Sequence, residues 1–138
     1  MEAIITFPDP QKAVRDLLRA ALATRAESYA LGATVSTRDL PGADERRSLP
    51  YIQVRSDGRF RNSQLNGRAT IRVLVWHRDE GLGEDLAGLC EALLLAGNSK
   101  EIRGCSAISG PLPTGDTDTG LPLSFFTVSA RLRPRQLN

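Results

Sequence analysis

Lysine is nearly absent from this chain. Lys12 and Lys100 are the only ones, and arginine supplies the rest of the positive charge. GC-rich coding favours arginine codons. A second cause would be a need for planar guanidinium groups, which pair bidentately with carboxylates at interfaces. Histidine is scarcer still. His77 stands alone, at the end of an apolar strand pattern, where a packed or surface residue is the ordinary reading. No serine or cysteine has an evident base partner, which leaves a nucleophilic triad without support. The two cysteines, Cys90 and Cys105, are not in a CxxC or other metal-ligand spacing. Cys90 lies on an apolar helix stripe and reads as a small buried hydrophobe. Two free thiols are expected, with a disulfide between them left open. Phosphate-cradling GxxxxGK and GxGxxG motifs are both missing. Aromatic residues make up 5% of the chain, so aliphatic side chains must fill the core. The N-terminus lacks the charged region and apolar run of a signal peptide. No segment approaches the roughly 18 consecutive apolar residues of a membrane span. A soluble protein made in the cytoplasm is the expectation.

What is present is ordinary in bulk. The 138 residues are 41% hydrophobic and 25% charged, with a net charge of +2. Such a chain reads as one α+β domain spanning residues 1–138. The charge is too weak by itself to argue for nucleic acid.

The chain is organised around residues 67–97. Arg68 to His77 alternates as a strand, with Ala69, Ile71, Val73 and Val75 on one face. A short acidic link then leads to a helix expected from Glu84 to Ala96. Its Leu86, Leu89, Cys90, Leu93 and Leu94 form one stripe, and Gly97 is placed to end it as a left-handed cap. Upstream, Asp9-Pro10 starts a helix expected to run to Thr24 or Arg25, with Val14, Leu17, Leu18, Ala21 and Leu22 on its apolar face. A weak strand follows at Ala33 to Thr37. Tyr51 to Ser56 is a clear strand, and Asp57-Gly58 marks a turn. Glu101 to Ser109 is a further strand, and Leu123 to Arg133 is the last, with Phe126, Val128, Ala130 and Leu132 on one face. Between them lie polar or turn-rich arms near residues 38–50, 58–68 and 110–122. The 58–68 arm reads either as an irregular loop or as the outer end of a long hairpin, and loops projecting from a rigid sheet often carry contacts. The expected architecture is a mainly antiparallel sheet of four to five strands with two helices on one face.

Chemistry-bearing residues mostly have plainer explanations. Asp116 and Asp118 lack EF-hand spacing, so turn chemistry accounts for them. Glu84 and Asp85 fit the positive end of the helix dipole. Arg55, Arg59, Arg61, Arg68 and Arg72 cluster with Phe60 and Tyr51, which leaves a small nucleic-acid-binding module as an alternative. Neither a catalytic site, a metal site nor a cofactor is expected.

The order of elements resembles the tail terminator, or tail-completion, proteins of long-tailed bacteriophages, especially siphophages of actinobacteria. Four stretches carry the resemblance. They are the helix with Ala13-Val14-Arg15-Asp16-Leu17-Leu18, the strand from Leu49 to Gly58, the strand and helix from Ala69 to Leu94, and the closing strand from Ser124 to Leu132. The resemblance implies a structural virion protein and no enzyme. It implies a homohexameric ring, assembled in the host cytoplasm, that caps the tail tube, stops its polymerisation and joins the tail to the head connector. DNA would pass through the lumen without sequence-specific binding. Other neck or head–tail connector proteins share much of this pattern. A ring needs two different patches that meet. Charge segregation suggests Arg59, Phe60, Arg61 and Arg68 on one side, with Asp44, Glu45, Asp116 and Asp118 on the other.

Overall fold

The computed structural model describes residues 2–40 and 49–137. Asp44 and Glu45 lie outside the described residues. Strand β1 (Ile5–Thr6) leads into helix α1 (Pro10–Leu22). Asp9 caps this helix, its carboxylate accepting from the Gln11 and Lys12 amides at 3.0 and 3.3 Å. The helix stops at Leu22, short of the expected Thr24. There the Thr24 hydroxyl donates to the Ala21 carbonyl at 2.8 Å, satisfying one of the free carbonyls of the last turn. Strand β2 (Thr34–Ser36) follows, then β3 (Tyr51–Arg61), β4 (Gly67–Trp76), α2 (Glu80–Ala96), β5 (Ile102–Gly115), β6 (Pro122–Leu132) and β7 (Arg135–Gln136).

The main sheet has the order β2-β3-β4-β6-β5, and β1 and β7 make a separate two-stranded ribbon. All pairings in the main sheet are antiparallel except β2 with β3, which is parallel. The chain is thus α+β, with both helices on one face of a mostly antiparallel sheet. The buried cluster joins Val14 and Leu18 of α1, Leu86, Cys90 and Leu94 of α2, and Ile52, Val54, Ile71, Val73, Phe126 and Val128 of the strands. The strict alternation of β4 and β6 accounts for this, because one parity is wholly buried under the helices. Leu89 and Leu93 of the expected stripe are only half buried.

Four expectations need correction. Asp57-Gly58 does not turn the chain. Ser56 pairs with Ile71 and Gly58 with Thr70, so Asp57 is the extra residue of a β-bulge and β3 continues to Arg61. The Ser56 amide donates to Gln11 Oε1 at 2.8 Å, so α1 satisfies backbone at the bulge. Residues 110–115 are strand rather than loop. β5 is an edge strand with three register shifts, and an edge with bulges tolerates Pro111 and Pro113. Helix α2 begins at Glu80, not Glu84. Asp79 caps it by accepting from the Leu82 amide at 2.8 Å, so Glu80 rather than Glu84 or Asp85 sits in the first turn. Gly97 is extended (φ −97°), not left-handed. Glycine suits it for a different reason: a Cβ there would lie 2.9 Å from the Leu93 carbonyl oxygen.

Candidate functional site: two ends of one sheet

The bulge in β3 decides which way the arginines point. One extra residue exchanges the faces of everything beyond it. Arg59 therefore pairs with Ala69 on the helix side, and Phe60 pairs with Arg68 on the open face. Arg59 reaches the helix-capping carboxylate of Asp9 at 3.8 Å, an exposed pair worth little. Arg61 donates to the Ile5 carbonyl at 2.6 Å, and its guanidinium lies 4.8 Å from the centre of the Phe7 ring. It fastens the N-terminal segment to the hairpin. Arg68 lies 4.7 Å from the centre of the Phe60 ring. The structure thus gathers Arg59, Phe60, Arg61 and Arg68 at one end of the sheet, around the turn at 62–66.

The opposite end is acidic and is fixed by one carboxylate. Asp116 opens the turn between β5 and β6. Its Oδ2 accepts from Trp76 Nε1 at 2.8 Å and from the Thr119 hydroxyl at 2.9 Å, and its Oδ1 accepts from the Asp118 amide at 3.0 Å. The Trp76 bond foremost holds the Asp116 carboxyl below its ordinary pKa; partial burial opposes this, and the Thr119 and backbone bonds add to it. Trp76 packs edge-on to Tyr51, with centroids 6.0 Å apart, in a small second core on the open face with Leu49 and Leu121. Asp118 is exposed at the tip of this turn. The aspartates are thus turn residues, as their spacing suggested, and they stand at the far end of the sheet from the arginines.

Between the two ends, the open face carries like charges directly opposite each other. Arg55 faces Arg72 across β3 and β4, and Arg68 faces Arg131 across β4 and β6. Such pairs disfavour the sheet unless something neutralises them. Asp57 at the bulge does so for Arg72, accepting from its Nε at 2.9 Å. Arg68 and Arg131 form no ion pair among the described residues. Together with Arg103, Asn62, Asn66 and Gly67 they line a hollow of about 340 Å³ at the arginine end. Sequence reading missed Arg103 and Arg131. Arg131 was within reach, because its parity in the last strand puts it on the face opposite Phe126 and Val128. Arg103 was not, because it is the extra residue of a bulge between Ile102 and Gly104.

His77 is structural. It accepts from the Asp79 amide at Nδ1 (3.2 Å), which leaves Nε2–H to donate to the Tyr29 carbonyl at 3.1 Å. Both cysteines are free and buried. Burial pushes the Cys90 thiol up to about 12; it pushes Cys105 up to about 11, against a smaller opposing pull from Arg131. Among the described residues no three His, Cys, Asp or Glu side chains converge as a metal site. No helix there is long and apolar enough to cross a membrane.

No family model matches the chain, and no curated protein matches it. Among solved structures, it is similar to a chain from the virion of a native gene transfer agent (GTA) particle. The TM-score is 0.62 at 14% sequence identity, over 90% of this chain and 94% of that one. At that identity the likeness is one of fold. It extends over nearly the whole of both chains.

Proposed function

We propose that this chain is a structural protein of a phage-like virion, and within that class a tail terminator. The observation that carries the reading is the near-complete coverage of both chains in the match to a virion component. The order of elements that resembles tail terminators points the same way. In this role, about six copies close into a ring through a heterologous interface. The ring caps the tail tube, ends its polymerisation and presents a surface to the head connector. DNA passes through the lumen without sequence-specific contacts. Assembly takes place in the host cytoplasm, and siphophages of actinobacteria are the proposed setting.

The separation of charge between the two ends of the sheet supports a head-to-tail interface. Arg59, Phe60, Arg61 and Arg68 belong to one contacting patch, and Asp116 and Asp118, with Asp44 and Glu45, to the other. Arg61 is engaged with the Ile5 carbonyl, whereas Arg59 makes only a long exposed pair with Asp9 and Arg68 packs on Phe60, so Arg59 and Arg68 carry the available charge of the patch. The role is one of shape and assembly rather than catalysis.

The test is to add purified chain to polymerising tail tubes and to image the products. Tubes of limited length with a ring at one end are expected. Tubes whose length and ends are unchanged overturn the terminator reading. A second reading, a nucleic-acid-binding module, draws on the open-face arginines Arg55, Arg68, Arg72 and Arg131. It predicts a gel shift of DNA that weakens steeply with salt.

A further inference from the structure

The hollow between Arg68, Arg103 and Arg131 gathers three guanidinium groups with no carboxylate among its described lining residues. Asn62 and Asn66 complete its rim. Arg68 and Arg131 oppose each other directly across two strands. Gly104 leaves the space that Arg131 uses, since a Cβ there would lie 2.8 Å from Arg131 Nη2. A bulge, a glycine and two facing arginines thus bring like charges together where dispersal would be the more stable arrangement.

A complementary group stands at the other end of the same sheet. The turn held by Asp116 lies beyond the β5 and β6 termini at Gly115 and Pro122, and it presents Asp118 to solvent. Asp118 forms no ion pair among the described residues. Strand β4 alone spans ten residues between the two ends, roughly 30 Å. A chain therefore cannot place its own Asp118 in its own hollow. A second copy can.

We infer that the hollow lined by Arg68, Arg103 and Arg131 is a socket for the Asp118 turn of a neighbouring copy of this chain. This rests on the ring reading and names the contact that closes the ring. A recessed site with flat, fork-like donors suits a single protruding carboxylate, which a guanidinium grips with two bonds. Duplex DNA offers a convex, continuous backbone and fits such a recess less well. The contact is heterologous, because socket and turn are different surfaces, so each copy uses both and the chain of contacts can close.

Charge exchange tests it. Asp118→Arg alone, or Arg103→Glu with Arg131→Glu, puts like charges in contact and is expected to weaken self-association at least about tenfold. Combining all three substitutions in one chain restores opposite charges and is expected to restore association. An equimolar mixture of the two defective proteins should also associate, as alternating rings. Circular dichroism and thermal melting show that each variant is folded. A second measurement replaces Asp118 and Arg103 with cysteine and applies mild oxidation. A ladder of disulfide-linked multimers is expected. Rings that form without that ladder, or variants that associate like the parent, overturn the socket and leave the ring. Neither rings nor ladder, at any concentration or on tail tubes, overturns both. If Arg103→Glu with Arg131→Glu abolishes a DNA gel shift while ring assembly is unchanged, the hollow is a phosphate site and the inference falls.

Discussion

Replacing Asp116 with alanine should unfasten the acidic turn and lower stability by an amount the geometry bounds. Trp76 is 7% exposed, so its indole N–H has no ready water partner once the carboxylate at 2.8 Å is removed. Leaving such a donor unpaired costs about 1–3 kcal/mol. The Thr119 and Asp118 donors lie nearer solvent, and water can replace their lost bonds at about 0.5 kcal/mol each. Asp116→Ala should therefore cost about 2–4 kcal/mol. For 138 residues the unfolding entropy is about 0.3 kcal/mol per degree, which converts the loss to a fall in Tm of about 7–14 °C. A double-mutant cycle with Trp76→Phe isolates the pair, and a coupling of about 1–2 kcal/mol is expected. The carboxyl is depressed below its ordinary value of 3.8 in the folded chain. Its contribution is thus complete above that value and is lost as pH falls through the lower, folded one. Asp116→Asn keeps an acceptor but not the charge, so the gap in Tm between parent and Asn variant should be constant near neutral pH and narrow only as pH falls below 3.8. A melt of Asp116→Ala within about 2 °C of the parent, or strict additivity with Trp76→Phe, would refute this account of the turn.

Other substitutions separate reasons for a glycine or a cap. A Cβ at Gly88 in α2 would have nothing within 4 Å, whereas a Cβ at Gly97 would meet the Leu93 carbonyl at 2.9 Å. Gly88→Ala should stabilise by up to about 1 kcal/mol, and Gly97→Ala should destabilise by about 1–3 kcal/mol, both read by chemical denaturation. Asp9→Ala removes the α1 cap and should cost about 1 kcal/mol in the same assay. The raised Cys90 and Cys105 thiols should resist a disulfide-exchange reagent at neutral pH and react fully once denaturant is added. Rapid labelling of the folded chain would contradict their burial.

The parts of the fold readable in the sequence were those where one physical rule acts alone. Alternation in β4 and β6 predicted the buried face correctly because both strands lie inside the sheet and under the helices. Asp9-Pro10 was readable because capping is local. The misreadings came where tertiary pairing overrode a local signal. Asp57-Gly58 is a turn in most short contexts, yet here it forms a bulge, with Arg72 bonded to Asp57 and Gln11 bonded to the Ser56 amide. The prolines of residues 110–115 looked incompatible with a strand, but an edge strand leaves some N–H positions unused. The sequence hides the first turn of helix α2, because Gly81 and Gly83 resemble a link. Gly83 packs against His77, where a Cβ would come within 3.0 Å of the His77 Cβ. For the candidate site, Arg59, Phe60, Arg61 and Arg68 were readable as a cluster because they are close in sequence. The hollow was not, since Arg103 and Arg131 join it only through the register of β4, β5 and β6.

The proposed function requires copies of this chain to close into a ring. Its most direct test is the mass of the assembled species, measured by light scattering over a wide concentration range, alone and with purified tail tubes, with imaging of any large particle. The account predicts a closed particle of about six subunits, formed in free solution or on the tube end. A monomer at every concentration that also leaves the tubes bare would contradict it.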